Sequence, residues 1–251
     1  MKVNAKFLWV FSNIFFINAI AQAADLSVMS AGAVGPGVEL VIRDYEKYSG
    51  QHVKIQFGTA PQLKERLASE QLFDVLIAPN SLVDEQMRQG KLLAGEHIYI
   101  GKVGAGVAVR NNLVAPVIGT LDELKKAVLA ADRVIYNKAS TGIYLDKLFA
   151  KLGISESIAN KTIRYDDGES VLMHIAKGHG VEIGFGAVTE IKLLESKGLK
   201  YVGPLPAEVQ NYTTYSAGVM AMAPKSEEAK EFLKKLNATG LDGSLRKVGI
   251  E

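Results

Sequence analysis

The chain has 251 residues and no cysteine, and its 29 lysines and arginines stand against 27 aspartates and glutamates, for a formal net charge of +2. Without cysteine there can be no disulfide, thiolate metal site, cysteine nucleophile or lipidated N-terminal cysteine. No basic stripe or arm offers a surface to nucleic acid, so no nucleic-acid partner is expected.

Residues 1–23 carry the three parts of an export signal: Lys2 and Lys6, an apolar core from Phe7 to Ile20, and Ala21-Gln22-Ala23 as a small-x-small cleavage site. Ser12, Asn13 and Asn18 interrupt the apolar run, which is too short to span a bilayer comfortably. Cleavage leaves about 228 residues from Ala24 onward, with 27 basic and 27 acidic groups and a formal charge of zero. That length suits one large domain or two lobes with separate cores.

Leu26–Met29 reads as a first strand, followed by a helix over 36–48 whose Val38, Val41, Ile42 and Tyr45 share one face of a 3.6-residue period. Gly50 stops that helix, and residues 53–57 alternate as a strand. Thr59 precedes the next helix, with Pro61 in its first turn and Leu63 and Leu67 four apart. A short buried strand over 74–78 and a helix over 82–89, ending at Gly90, complete a strand-helix alternation. Residues 98–110 form a long extended stretch, punctuated by Gly101, Gly104 and Gly106, that passes between lobes. The alternation then repeats: a helix over 121–129 capped by Thr120, a strand over 133–136, a helix over 142–152, a strand over 162–165, a helix over 170–176 and a strand over 182–186. Residues 212–223 read as the return crossing, and Ser226-Glu227-Glu228 opens a last helix through Leu236.

These elements predict an α/β protein of two lobes, each a mixed sheet flanked by helices. Lobe 1 comprises 24–105 and 216–251, lobe 2 comprises 106–215, and hinge crossings fall near 103–109 and 212–218. Ligands in such folds sit beyond the carboxyl ends of the strands. There the chain repeatedly places a hydroxyl and small residues before a helix, at Ser30-Ala31-Gly32-Ala33, at Thr59-Ala60, at Ser140-Thr141 and at Gly168-Glu169-Ser170. Helix N-termini present unpaired N–H groups and positive partial charge, so four of them brought together would cage an anion.

Catalytic motifs are not evident. His52, His97, His174 and His179 form no H-E-x-x-H pattern, Ser244-Leu245-Arg246-Lys247 lacks the companions of an S-x-x-K enzyme, and the glycines from Gly101 to Gly106 fit no phosphate-loop spacing. The expectation is a protein without catalytic residues, resident metal or cofactor.

In its motifs the chain resembles the periplasmic molybdate-binding proteins and their relatives, the type 2 solute-binding proteins of ABC importers. The resemblance rests on Leu26-Ser27-Val28-Met29-Ser30-Ala31-Gly32-Ala33, Phe57-Gly58-Thr59-Ala60, Phe73-Asp74-Val75-Leu76-Ile77-Ala78, Ala139-Ser140-Thr141-Gly142-Ile143-Tyr144 and Glu182-Ile183-Gly184-Phe185, spread over nearly the whole mature chain. It implies a ligand held between two lobes by hydroxyls and backbone N–H groups: Ser30, Ala31, Thr59 and Ala60 from the first lobe, and Ser140, Thr141, Ser170 and Val171 from the second. Two departures concern specificity. Ala187 stands where the family has a tyrosine, and Ala139-Ser140-Thr141-Gly142 replaces V-P-A-G, so that Thr141 takes the place of an alanine after a proline.

What the resemblance implies is a monomeric periplasmic binding protein that captures molybdate or tungstate and hands it to a membrane permease. The alternative is capture of another small anion, including an organic carboxylate with Arg110 or Arg164 as its ion-pair partner. Asp166, Asp167 and Glu169 crowd a corner meant for a negative ligand.

Overall fold

The computed structural model describes residues 25–69 and 71–251, and the export signal expected at 1–23 lies outside them. Strand β1 (Leu26–Ala31), helix α1 (Gly35–Ser49), β2 (Val53–Gly58), α2 (Ala60–Ala68), β3 (Val75–Pro79) and α3 (Asn80–Arg88) lead into the long strand β4 (Leu92–Arg110). After α4 (Leu121–Ala130) come β5 (Arg133–Asn137), α5 (Ser140–Lys151), the short α6 (Ser155–Ile158), β6 (Thr162–Tyr165), α7 (Gly168–Lys177), β7 (Glu182–Ala187) and α8 (Val188–Leu194). Strands β8 (Leu199–Pro204) and β9 (Tyr212–Met220) and helices α9 (Ser226–Leu241) and α10 (Ser244–Lys247) follow.

The strands run in the order β2-β1-β3-β9-β4-β7-β5-β6, with β8 also on β4. Pairs β1–β2, β1–β3, β5–β6 and β5–β7 are parallel, and β9 runs antiparallel to both β3 and β4. Strand β4 ties the molecule together: Leu92 to Gly104 pairs with β9, and from Ala105 onward it pairs with β7 and β8.

The parallel strands are almost continuously apolar because helices cover both faces. All five residues of β3 and all six of β7 are buried. One core gathers around β1, β3, α1 and α9, where Tyr45 meets Phe232 edge-on at 5.4 Å. A second lies around β5, α4 and α5, with Phe149 edge-on to both Tyr136 and Phe185. Val171, Leu172 and Ile175 of α7 form a third with Ile135 and Ile191. Burial at about 25 cal/mol per Å² of apolar surface makes these cores the main source of stability.

The capping expected at the helix starts is present. Gln62 Oε1 accepts from the Thr59 backbone N–H at 2.8 Å, and Thr120 and Glu123 cap α4 reciprocally, at 2.9 and 3.3 Å. Gly50 ends α1 at φ 70°, a left-handed conformation that costs glycine little. The inward residues expected on α1 are all buried. Four elements depart from expectation. Helices α5 and α7 begin two residues earlier than their apolar periodicity indicates: Asp167 caps α7, and at α5, whose N-cap Ala139 has no capping side chain, Asn137 Oδ1 accepts the Gly142 N–H. Helix α8 and strand β8 have no counterpart in the expectations above: seven residues are too few for a helical period, and Leu199–Pro204 carries lysine, glycine and proline in place of an apolar run.

Candidate functional site

The carboxyl ends of β1, β2, β3 and β5 and the starts of α2, α5, α7 and α8 border a cavity of about 670 Å³. Six of the eight residues expected at a ligand line it: Ala31, Thr59, Ala60, Ser140, Thr141 and Ser170. Ser30 and Val171 do not. Ser30 is wholly buried and its hydroxyl donates to the Ala31 carbonyl at 3.2 Å, while Val171 belongs to the core beneath α7. Several donors at the helix starts are engaged within the protein. Asn137 Oδ1 accepts from the Ala139 and Gly142 N–H groups at 3.0 and 3.1 Å, and Asp167 Oδ1 accepts the Ser170 N–H at 2.7 Å.

The acidic corner divides. Asp166 points outward, exposed and paired with Lys138 at 2.9 Å, whereas Asp167 and Glu169 line the cavity. Neither expected arginine reaches the cavity. Arg164 binds both Asp146 oxygens, at 2.8 and 3.0 Å, and lies over the Tyr136 ring. Arg110 donates to the carbonyls of Gly178 and Gly180. Arg66, which the sequence reading passed over, is the arginine that lines the cavity, with Nη1 donating to the Phe57 carbonyl at 2.9 Å. Its signal was the i, i+4 spacing from Gln62, which puts both on one face of α2.

Glu190 was the larger omission. It sits in the first turn of α8, partly exposed in the cavity, three residues beyond the Ala187 that had drawn attention. Its carboxylate wedges between two chain segments. A Cβ added to Gly168 would lie 2.3 Å from Oε2, and one added to Gly32 would lie 3.0 Å from Oε1. Withdrawal from water pushes its pKa from 4.5 up to about 7, and the charges of Asp167 and Glu169 add to the rise, opposed by a hydrogen bond from the Ala187 backbone. Tyr215, from β9, lines the same cavity, and its hydroxyl is held protonated by burial and by the charge of Glu190. A carboxyl poised near neutrality in a cavity is a candidate acid–base group.

On the far face of α7, the Tyr165 hydroxyl lies 2.7 Å from His174 Nδ1, and His174 Nε2 lies 3.3 Å from the buried Glu182. His52 pairs with Glu46 at the surface. Among the described residues no three histidine, aspartate or glutamate side chains gather as a metal site.

The family model for bacterial extracellular solute-binding proteins matches residues 26–249. The chain belongs to that family. Its architecture is the type 2 periplasmic-binding-protein fold, seen also in the periplasmic molybdate-binding protein of Azotobacter vinelandii (TM-score 0.75, 14% identity, 90% of this chain and 99% of that one). PEB3 bound to L-phospholactate shares it too, with a TM-score of 0.68 and 14% identity, over 90% of this chain and 98% of that one. In sequence the chain is 26% identical, over 241 residues covering 93% of its length and 90% of the relative, to an aconitate isomerase from a Pseudomonas species. That similarity overturns the expectation of a protein that is not an enzyme, because a relative alike over nearly its whole length carries out chemistry on its ligand.

Proposed function

We propose that this member of the family takes a small unsaturated polycarboxylate into the cleft and isomerises it by proton transfer through Glu190. The observation that carries the reading is Glu190 itself, a carboxyl with a pKa raised to about 7 at the meeting point of the helix starts. Pure capture of a divalent oxyanion has no use for such a group. Glu190 shares the cavity wall with Glu39, Asp167 and Glu169, and any anion brought there, oxyanion or carboxylate, favours its protonated form. The volume, too, lies in the range of cavities that take organic molecules.

The chemistry is that of a carbon acid. In an unsaturated tricarboxylate such as aconitate, the methylene beside the double bond is acidified by its own carboxylate and by the conjugated one. The Glu190 carboxylate takes one methylene proton, leaving the electron pair delocalised over three carbons. Glu190, now protonated, returns a proton to the opposite end of the three-carbon unit. The double bond moves, its geometry can change, and no proton or electron is gained or lost overall. Tyr215, its hydroxyl kept protonated by burial and by the charge of Glu190, stays neutral throughout. First-turn N–H groups of the surrounding helices stabilise the negative charge that develops.

Family membership supports action outside the cytoplasm, and it also supports a second reading in which the same cleft delivers its anion to a membrane permease. The helix starts converging on one cavity favour that reading. The two are separated by incubating the protein with trans-aconitate in D2O and following proton NMR. Isomerisation through Glu190 predicts the cis isomer appearing in the presence of the native protein and not of Glu190→Gln, with deuterium at carbon to the extent that the Glu190 proton exchanges with solvent before its return. A folded protein that binds the acid and returns it unchanged and undeuterated would be a carrier.

A further inference from the structure

We propose that Arg66 anchors one carboxylate of the ligand, so that the cleft selects organic acids carrying at least two acidic groups; this rests on the isomerase reading above. Among the described residues that line the cavity, Arg66 is the one lysine or arginine. No carboxylate of the described residues lies within ion-pairing distance of it, in contrast to Arg164, which Asp146 neutralises.

The guanidinium is held ready. Nη1 donates to the Phe57 carbonyl at 2.9 Å and rests against Gly58, where an added Cβ would come within 3.2 Å of it. One bond out of five possible donors fixes the plane and leaves the others for an incoming carboxylate, which an arginine fork meets with two parallel hydrogen bonds.

Its place relative to Glu190 gives the ligand a length. Glu190 packs against Gly32, just past the end of β1, and Arg66 packs against Gly58, the last residue of the neighbouring β2. Ala31 and Gly58 are partners in the parallel register. The two anchor points therefore lie one to two strand spacings apart, roughly 5–10 Å. A tetrahedral oxyanion has no second pole to offer Arg66 across that gap. A short-chain di- or tricarboxylate spans it, with one carboxylate on Arg66 and its acidic carbon toward Glu190.

The test is calorimetric titration of the full-length exported protein with propane-1,2,3-tricarboxylate, which has no double bond to isomerise, and with molybdate as a probe that has one pole. Arg66→Gln is expected to weaken the tricarboxylate about tenfold or more, with Arg66→Lys recovering only part of the loss and any molybdate binding unchanged. Unchanged tricarboxylate affinity in Arg66→Gln would overturn the assignment while leaving the isomerase reading intact. Equal loss for both probes would overturn it as well, since that marks a general disturbance. Failure of the native protein to bind any carboxylate would remove the isomerase reading itself. Should Arg66→Gln not fold, Arg66→Lys keeps the charge but not the fork and is expected to weaken the tricarboxylate alone; unchanged affinity there would count against the anchor.

Discussion

The two ends of β7 each present a glutamate, and the two have neighbours of different charge. Glu182, at the start of the strand, is buried with His174 Nε2 at 3.3 Å and the Arg133 guanidinium at 3.9 Å from Oε1, while its Oε2 meets no hydrogen-bond partner among the described residues. Gly178 packs directly onto it. Glu190, just past the other end, has no cation beside it among the described residues and faces Asp167 and Glu169 instead. An unpaired buried charge costs several kcal/mol, and at Glu182 the Arg133 cation offsets part of that cost. A carboxyl left among other acids at the wall of a cavity is one the protein tolerates for another reason, and proton transfer is a reason of that kind.

The comparison breaks most sharply under Glu190→Gln. Losing the acid–base group is expected to slow isomerisation by about 10²–10⁴-fold with the fold intact, measured by the NMR assay against circular dichroism. The same variant sharpens the comparison through stability. Between pH 4.5 and 7 the folded protein holds a proton on Glu190 that the unfolded chain has released, so raising pH through that window removes stability. The full shift corresponds to about 3 kcal/mol, and the partial exposure of the side chain brings the expectation to about 2 kcal/mol. Glu190→Gln is therefore expected to be more stable than the native protein in urea at pH 8 and equal to it at pH 4.

At the other end of the strand the outcome is reversed. Gly178→Ala drives a Cβ to within 1.7 Å of Glu182 Oε2 and is expected to cost about 1–3 kcal/mol of stability, read by urea denaturation, while the isomerisation rate of the folded fraction holds. The smallest effect is expected from Asp167→Asn. This change keeps an oxygen to accept the Ser170 N–H but removes one of the charges that raise the Glu190 pKa, so the acidic limb of the pH–rate profile moves to lower pH.

Much of the fold was legible from periodicity and punctuation. Val38, Val41, Ile42 and Tyr45 announce the buried face of α1, and Gly50 its end, because burial and backbone freedom act locally. The strand ends bordering the cleft were legible for the same reason, as was the place of Thr59, Ser140 and Thr141 on it. What sequence could not convey was the pairing of charges between distant segments. Arg110 and Arg164 look as free as Arg66 in a string of residues, and only the fold brings Gly178, Gly180 and Asp146 to occupy the first two. Ser30 looked like a donor by position, yet its hydroxyl turns to its own strand. Glu190 escaped notice because α8 is too short to show a period, and its chemistry arises from Gly32, Gly168, Asp167 and Glu169 closing around it.

The central claim is that the Glu190 carboxyl exchanges its proton near neutral pH inside the cleft. Titration of the protein with carboxyl-¹³C glutamate, followed by NMR and assigned by loss of one resonance in Glu190→Gln, measures this directly. The account predicts a midpoint near 7 that climbs further when propane-1,2,3-tricarboxylate is bound, since the added negative charge disfavours ionisation. A Glu190 midpoint near 4.5 that ignores the ligand would contradict it.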